Sequence, residues 1–296
     1  MSNDSLLPTD DEIIDAAVQH ARESQLGTTS HIGTGFPIFQ HGQPVAWVKY
    51  TGDPRGLEYE AATQEYVYET LHQQPALLEF IRVPEVKRII QSDEPPYLLV
   101  VMEYVHGQTV RQCLERESTE ERRDRFWSQI FCALSTLLNF QPPPNTPPGP
   151  AGGGRISHLV FGQYGEPELA PREFDSAQDL ENFINETIGI HGVNFVSEDL
   201  KLCYCDPHQS NFILPHEGGS IYVIDFEHCF WLPPSLMSWA LFVNWRDEIF
   251  NHLRENLQEL QQLSATNQTA LTQFNGQHLR RQRQRRGPPP APPPRP

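Results

Sequence analysis

Apolar and polar positions follow two different periods along the chain, and the change between them marks its organisation. Residues 10–25 (DDEIIDAAVQHARESQ) set Ile13, Ile14, Ala17 and Ala21 on one face at helical spacing, behind an acidic first turn and with Thr9 as a possible cap. PVAWVKY at 44–50 reads as a strand and ends at a turn signal, TGDPRG, after which EYEAATQEYVYETLHQ at 58–73 has helix-forming composition. IRVPEVKRII and PPYLLVVMEYV predict two further strands, the second apolar enough to lie inside a sheet. This order of elements predicts a small strand-rich lobe with one helix, ending near residue 106.

Helical spacing then takes over. Phe126, Ile130, Phe131, Leu134, Leu137 and Leu138 recur at intervals of three and four, which predicts a buried helix over RFWSQIFCALSTLLNF. QPPPNTPPGPAGGG at 141–154 can propagate neither helix nor strand and reads as a long surface loop. A further helix is expected over FDSAQDLENFINETIG at 174–189, capped by Asp175 or Ser176. LKLCYCDPHQSNFIL and SIYVIDFEHCFWL read as two short strand-like segments with polar residues where a plain core strand would have none. Residues 235–263 are helical in composition, and from about residue 265 too few apolar residues remain to offset ordering entropy, so disorder is expected there.

Composition narrows the function. The formal charge is -16, yet residues 280–296 (RRQRQRRGPPPAPPPRP) hold six arginines and no acid, so the remainder sets 16 basic against 38 acidic groups, a balance of -22. Such a body repels polyanions, which argues against nucleic-acid binding. The five cysteines are odd in number and irregularly spaced, no signal-type apolar run precedes them, and no apolar run reaches the roughly 20 residues that a membrane span needs. A reduced, cytoplasmic protein without membrane segments is expected. The arginine run and PPPAPPPRP could serve an SH3-like partner as polyproline helix, or be a solvated tail.

Asp206, Asn211 and Asp225 stand as D-x4-N-x13-D between apolar segments, the catalytic-loop and metal-loop arrangement of kinase folds. Phosphoryl transfer needs a carboxylate to orient the attacking hydroxyl and take its proton, together with oxygen ligands for magnesium. Asp206 would be that base, and Asn211 and Asp225 the metal ligands. Cys203, Cys205, His208, His228 and Cys229 fit no common zinc spacing. Lys49, one of only three lysines beside 19 arginines, ends the strand PVAWVKY.

The stretches YCDPHQSN and IDFE resemble the HGDLHPGN and IDWE motifs of the aminoglycoside phosphotransferase family and its choline kinase relatives, matching at Asp206, His208, Asn211, Asp225 and Glu227. The main departure is Tyr204, where the family has a histidine that buttresses the loop backbone. The resemblance, to fungal-type members in particular, spans residues 28–245 and implies an α+β, protein-kinase-like two-lobed fold, with a small antiparallel sheet and one key helix in the first lobe and a mainly helical second lobe. It also implies ATP and Mg2+ as cofactors and a hydroxyl-bearing small molecule as acceptor. Lys49 would contact the nucleotide phosphates, held by Glu60, with Glu65 as the alternative, and backbone groups of Glu103 and Val105 in VVMEYVHGQTV would hold adenine. SHIGTGFP at 30–37 occupies the place of a phosphate-covering loop. The expected divisions are an N-terminal helical extension (1–27), a nucleotide-binding lobe (28–106), a catalytic and substrate-binding lobe (107–264) and a disordered Arg/Pro-rich tail (265–296). A protein kinase is a poorer fit, because His208 stands where such enzymes have lysine and no APE-ended activation segment is present. A pseudokinase, acting as a nucleotide- or protein-binding module, remains the other alternative, favoured by Tyr204.

Overall fold

Thr9 opens the first helix, α1 (Asp10–Glu23), with a reciprocal cap: the Glu12 amide donates to Thr9 Oγ1 and the Thr9 amide to the Glu12 carboxylate at 2.8 Å. The computed structural model describes residues 7–23, 34–52, 54–94, 96–161, 168–243, 248–257, 260 and 265–273. Strands β1 (Thr34–Gln40) and β2 (Gln43–Thr51) form a hairpin whose turn residues, His41 and Gly42, both have positive φ (50° and 78°), the twist that a two-residue turn needs. Thr34–Pro37, read above as part of a phosphate-covering loop, therefore belong to a strand. Their alternation is the reason, since Phe36 and Ile38 are buried while Gly35 lies beneath the Trp47 indole. The preceding part of SHIGTGFP, 30–33, lies outside the described residues.

Helix α2 (Pro54–Gln73), a two-residue strand β3 (Ile81–Arg82), β4 (Val86–Asp93) and β5 (Pro96–Glu103) follow. The first sheet is antiparallel in the order β1-β2-β5-β4. Period-two alternation gives it two faces. Ala46, Val48, Tyr50, Leu99 and Val101 pack on Ile13, Ala17 and Ala21 of α1, whereas Leu98, Val100 and Met102 pack on Leu57 and Ala61 of α2. Lys49 and Trp47 alternate with the α1-facing residues of β2 and share the α2 side of the sheet.

The chain then forms β6 (Gly107–Thr109), α3 (Val110–Arg116), α4 (Glu120–Leu138), α5 (Ala177–Phe183), β7 (Lys201–Tyr204), β8 (Phe212–Pro215), β9 (Ile221–Val223), β10 (Cys229–Leu232), α6 (Pro234–Val243) and α7 (Glu248–Asn256). The two strand-like segments of the sequence are thus four short strands. They are arranged as a sheet β3-β9-β8-β6 and an antiparallel pair β10-β7. Loops between them carry the polar residues, which is why those residues interrupt the apolar pattern. Trp127, Ile130, Leu134, Leu137 and Leu138 of α4 sit in the largest core, with Phe126 and Phe131 only partly buried at its edge. The helix expected at 174–189 is α-helical only over α5, capped by Ser176 Oγ, and continues as a wider turn that Gly189 ends at φ 79°. The molecule is an α+β fold, with an antiparallel sheet flanked by α1 and α2 first and a mainly helical part after it.

The expected start of disorder at 265 is wrong for residues 265–273, which are helical. Asn267 is fully buried; it accepts from the Asn194 amide (2.6 Å) and donates to the Asn194 carbonyl (2.9 Å) and the Glu198 carboxylate (2.7 Å). Trp239 Nε1 donates to the Leu271 carbonyl at 3.0 Å. A few directed bonds, which composition does not register, offset the ordering entropy. The Arg/Pro segment from 274 and any SH3-like docking lie outside the described residues. Among those described, no helix is long and apolar enough to cross a membrane.

Candidate active site

Lys49 reaches the α2 side of the sheet because it alternates with Val48 and Tyr50, and there its ammonium meets carboxylates from two other elements. Nζ donates to Glu60 Oε1 at 2.8 Å and Oε2 at 2.7 Å, and to Asp225 Oδ1 at 2.9 Å. Glu60 is 5% exposed. Glu65 takes no part in this group; its carboxyl is raised by partial burial and by the neighbouring Glu69. Burial opposes the Lys49 charge, but Glu60 and Asp225 outweigh it and hold the ammonium above the ordinary lysine range. Burial pushes Glu60 up to about 7 against the pull of Lys49, with Asp225 adding to the rise. One cation facing two carboxylates stays charged, and the more buried carboxylate bears the desolvation cost.

Asp225 follows β9 in a left-handed conformation (φ 64°, ψ 72°), which aspartate tolerates better than most side chains. The loop before it is tied to the Asp206 loop. The Ile224 amide donates to the Asn211 carbonyl at 3.0 Å, Asn211 Nδ2 to the Asp206 carbonyl at 3.0 Å, and the His208 amide to the same carbonyl at 2.8 Å. Tyr204 stands beneath both loops with its hydroxyl 2.5 Å from the Ile224 carbonyl and 2.9 Å from that of Asp225. Burial, then Asp225 and Asp206, push its phenol well above the usual range, so it remains a neutral donor. The residue that departs from the family pattern still buttresses the backbone at Ile224 and Asp225.

Ligand chemistry can be tested on these donors. Glu60, Asp225 and Glu227 can each bring a carboxylate oxygen within 4.8 Å of the others, the sole such group of acids, cysteines and histidines among the described residues. Asn211 commits its amide nitrogen to Asp206, which leaves the amide oxygen as the atom it can offer. An all-oxygen set fits a hard cation such as magnesium. Cys203, Cys205 and Cys229 are buried free thiols and, among the described residues, form no metal cluster with histidine.

At the end of β5, the Glu103 amide donates to the Glu85 carbonyl (2.8 Å), and its carboxylate accepts from the Glu85 amide (3.3 Å) and the Tyr222 hydroxyl (3.3 Å). Val105 follows in the extended link to β6, whose close approach to β8 leaves no room for a side chain at Gly107.

A model of the phosphotransferase enzyme family matches residues 53–271. The chain belongs to the phosphotransferase enzyme family. Solved structures similar to this phosphotransferase include the GDP and kanamycin complex of APH(2")-IIia, at 11% identity and TM-score 0.46 over 90% of this chain and 94% of that one. Aminoglycoside-3'-phosphotransferase of type VIII is similar at 14% identity and TM-score 0.43, over 89% and 91% of the two chains. No curated protein matches the chain. The family match covers most of the chain and assigns it to the phosphotransferases.

Two further residues carry no motif. Trp47, two positions before Lys49 on the same strand face, keeps 36% of its surface exposed; strand alternation was the available signal. Glu168 is raised by burial and by Asp206 and Glu227, with His228 opposing, which places it beside the catalytic loop. It sits in a loop whose sequence has no periodicity, so nothing local pointed to it.

Proposed function

We propose that this phosphotransferase transfers the terminal phosphoryl group of ATP, with magnesium, to a hydroxyl of a small molecule in the cleft between residues 28–106 and the part that begins at 107. The observation that supports this best is the buried Lys49–Glu60 pair meeting Asp225 at 2.9 Å, because the first sheet and the second part of the chain contribute opposite charges to one point. Lys49 would hold the nucleotide phosphates, and backbone groups of Glu103 and Val105 the base. Asn211 and Asp225 would hold magnesium, which supplies charge neutralisation on the phosphates. Glu60, bonded to Lys49 through both carboxylate oxygens, would keep the ammonium in place when Asp225 serves the cation. Asp206 would orient the acceptor hydroxyl and take its proton.

The test separates binding from chemistry. Asp225→Ala should abolish the magnesium-dependent gain in melting temperature with ATP while leaving the fold intact. Asp206→Asn should preserve ATP affinity and lower turnover at least ~100-fold against a panel of hydroxyl and amino-sugar acceptors. Equal residual ATPase rates in wild type and Asp206→Asn would count against catalysis by Asp206.

A further inference from the structure

The Pro/Gly loop read from sequence as plain surface is not free of the fold at its C-terminal end. Pro148, Gly149, Pro150 and Gly154 are buried, and Gly149 exchanges two backbone bonds with Trp231 of β10, at 2.8 and 3.1 Å. The other side of this loop lies against α2. The Ala151 amide donates to Thr63 Oγ1 at 3.2 Å, and Thr63 is itself fully buried. Gly152 faces Ala62 so closely that an added Cβ would come within 2.6 Å of the Ala62 methyl, and a Cβ on Gly154 would meet the Tyr59 ring at 2.5 Å. Tyr66 completes the row with an edge contact to Trp231.

Tyr59, Ala62, Thr63 and Tyr66 are spaced i, i+3, i+4, i+7, so they form one face of α2. The adjoining face carries Glu60 on Lys49 and Gln64 on the Pro84 carbonyl at 2.8 Å. Helix α2 is thus wedged between the first sheet and a loop of the second part of the chain, with its key glutamate next to the wedge. Glycine is required on the loop side because the backbone itself is the packing surface.

We infer that loop 149–154 is a clamp that fixes the rotation and depth of α2, and that Thr63 and Gly152 are positioning residues for the Lys49–Glu60 pair. The pair is then set by contacts built into the fold and needs no partner or modification to form. This rests on the reading of Lys49 as the phosphate-holding lysine. Gly152→Ala drives a methyl into α2, and Ala62→Gly removes the atom it strikes, the next nearest being Ala62 Cα at 3.9 Å.

The experiment measures magnesium-ATP affinity and ATP turnover in Gly152→Ala, Thr63→Val, Thr63→Ser, Ala62→Gly and the double variant Gly152→Ala/Ala62→Gly. Alongside, hydrogen exchange is followed over residues 57–67. Gly152→Ala and Thr63→Val should each weaken magnesium-ATP binding or turnover about tenfold and speed exchange in α2. Thr63→Ser should stay within about twofold of wild type, and the double variant should recover to the level of Ala62→Gly alone. In a Lys49→Met background the clamp substitutions should cost nothing further, an outcome that general loss of stability would not produce. Unchanged binding and turnover in Gly152→Ala, no recovery in the double variant, or an equal loss in the Lys49→Met background would each overturn the clamp. If wild type neither binds nor turns over magnesium-ATP, the proposed function fails instead. The clamp is then decided by exchange alone: faster α2 exchange in Gly152→Ala that Ala62→Gly reverses upholds it, and unchanged exchange refutes it.

Discussion

The hydroxyl of Tyr204 lies 2.9 Å from the backbone carbonyl of Asp225, so strand β7 directly supports the residue proposed to bind metal. A phenol reaches the carbonyls of both Ile224 and Asp225 from a fully buried position, and unlike an imidazole it does not gain charge near neutral pH.

Tyr204→Phe keeps the ring packing against Phe212 and Phe226 but leaves those carbonyls without the phenol donor, at a cost of about 1–3 kcal/mol. Because the loss falls on the backbone of Asp225, ATP affinity should drop more with magnesium than without it. Equal drops, read by titration in both conditions, would mean that Tyr204 supports only the fold.

Glu60 gives the site a pH dependence. Burial raises its carboxyl from 4.5 to about 7, so the folded protein holds a proton that the unfolded chain releases between those values. The sign follows: this proton contributes stability below pH 4.5, and the contribution is lost as pH rises through about 7. Pairing with Lys49 needs the ionised form and so runs the other way. Magnesium-ATP affinity should climb through pH 7, by up to about tenfold per unit on the acid side. Glu60→Gln should bind weakly at every pH and show no such limb; a limb that persists in this variant belongs to another group.

Trp47 shares the Lys49 side of β2 and is partly exposed. With Lys49 holding the phosphates as proposed, an aromatic face on its side of β2 would be suited to stack on the base, an interaction that contributes about 1–3 kcal/mol. Trp47→Ala should weaken ATP by that amount, and the tryptophan emission change on adding ATP should vanish in Trp47→Phe. An emission change of undiminished size in Trp47→Phe would place the base elsewhere.

Truncation after residue 273 should leave the melting temperature unchanged, whereas truncation after 264 should lower it by several degrees. The second cut removes the buried Asn267 from Asn194 and Glu198, and Leu271 from Trp239. Asn267→Ala should reproduce much of that loss. If it does not, apolar contacts of Ala270 and Leu271 hold the segment.

The sequence by itself determined the local parts. Apolar spacing marked α1 and α4, helix-forming composition marked α2, strand-type and apolar runs marked β2 and β5, and D-x4-N-x13-D marked the Asp206 and Asp225 loops, because each is written in residues close together in the chain. Glu60 could be preferred over Glu65 only by resemblance; the choice between them was made by the rotation of α2 against β2, since both residues lie on the same helix. Thr34–Pro37 were read as loop from the place of SHIGTGFP in the family resemblance, yet Gly35 is where Trp47 crosses the hairpin. Glu168 and Asn267 were invisible for a similar reason, as their partners are distant in sequence and contribute no period. The glycines at 152 and 154 signalled freedom in the sequence and became contact surfaces in the fold. Only the packing of α2 between the first sheet and a loop some 90 residues later could decide that, because a glycine records the absence of a side chain and not what approaches it.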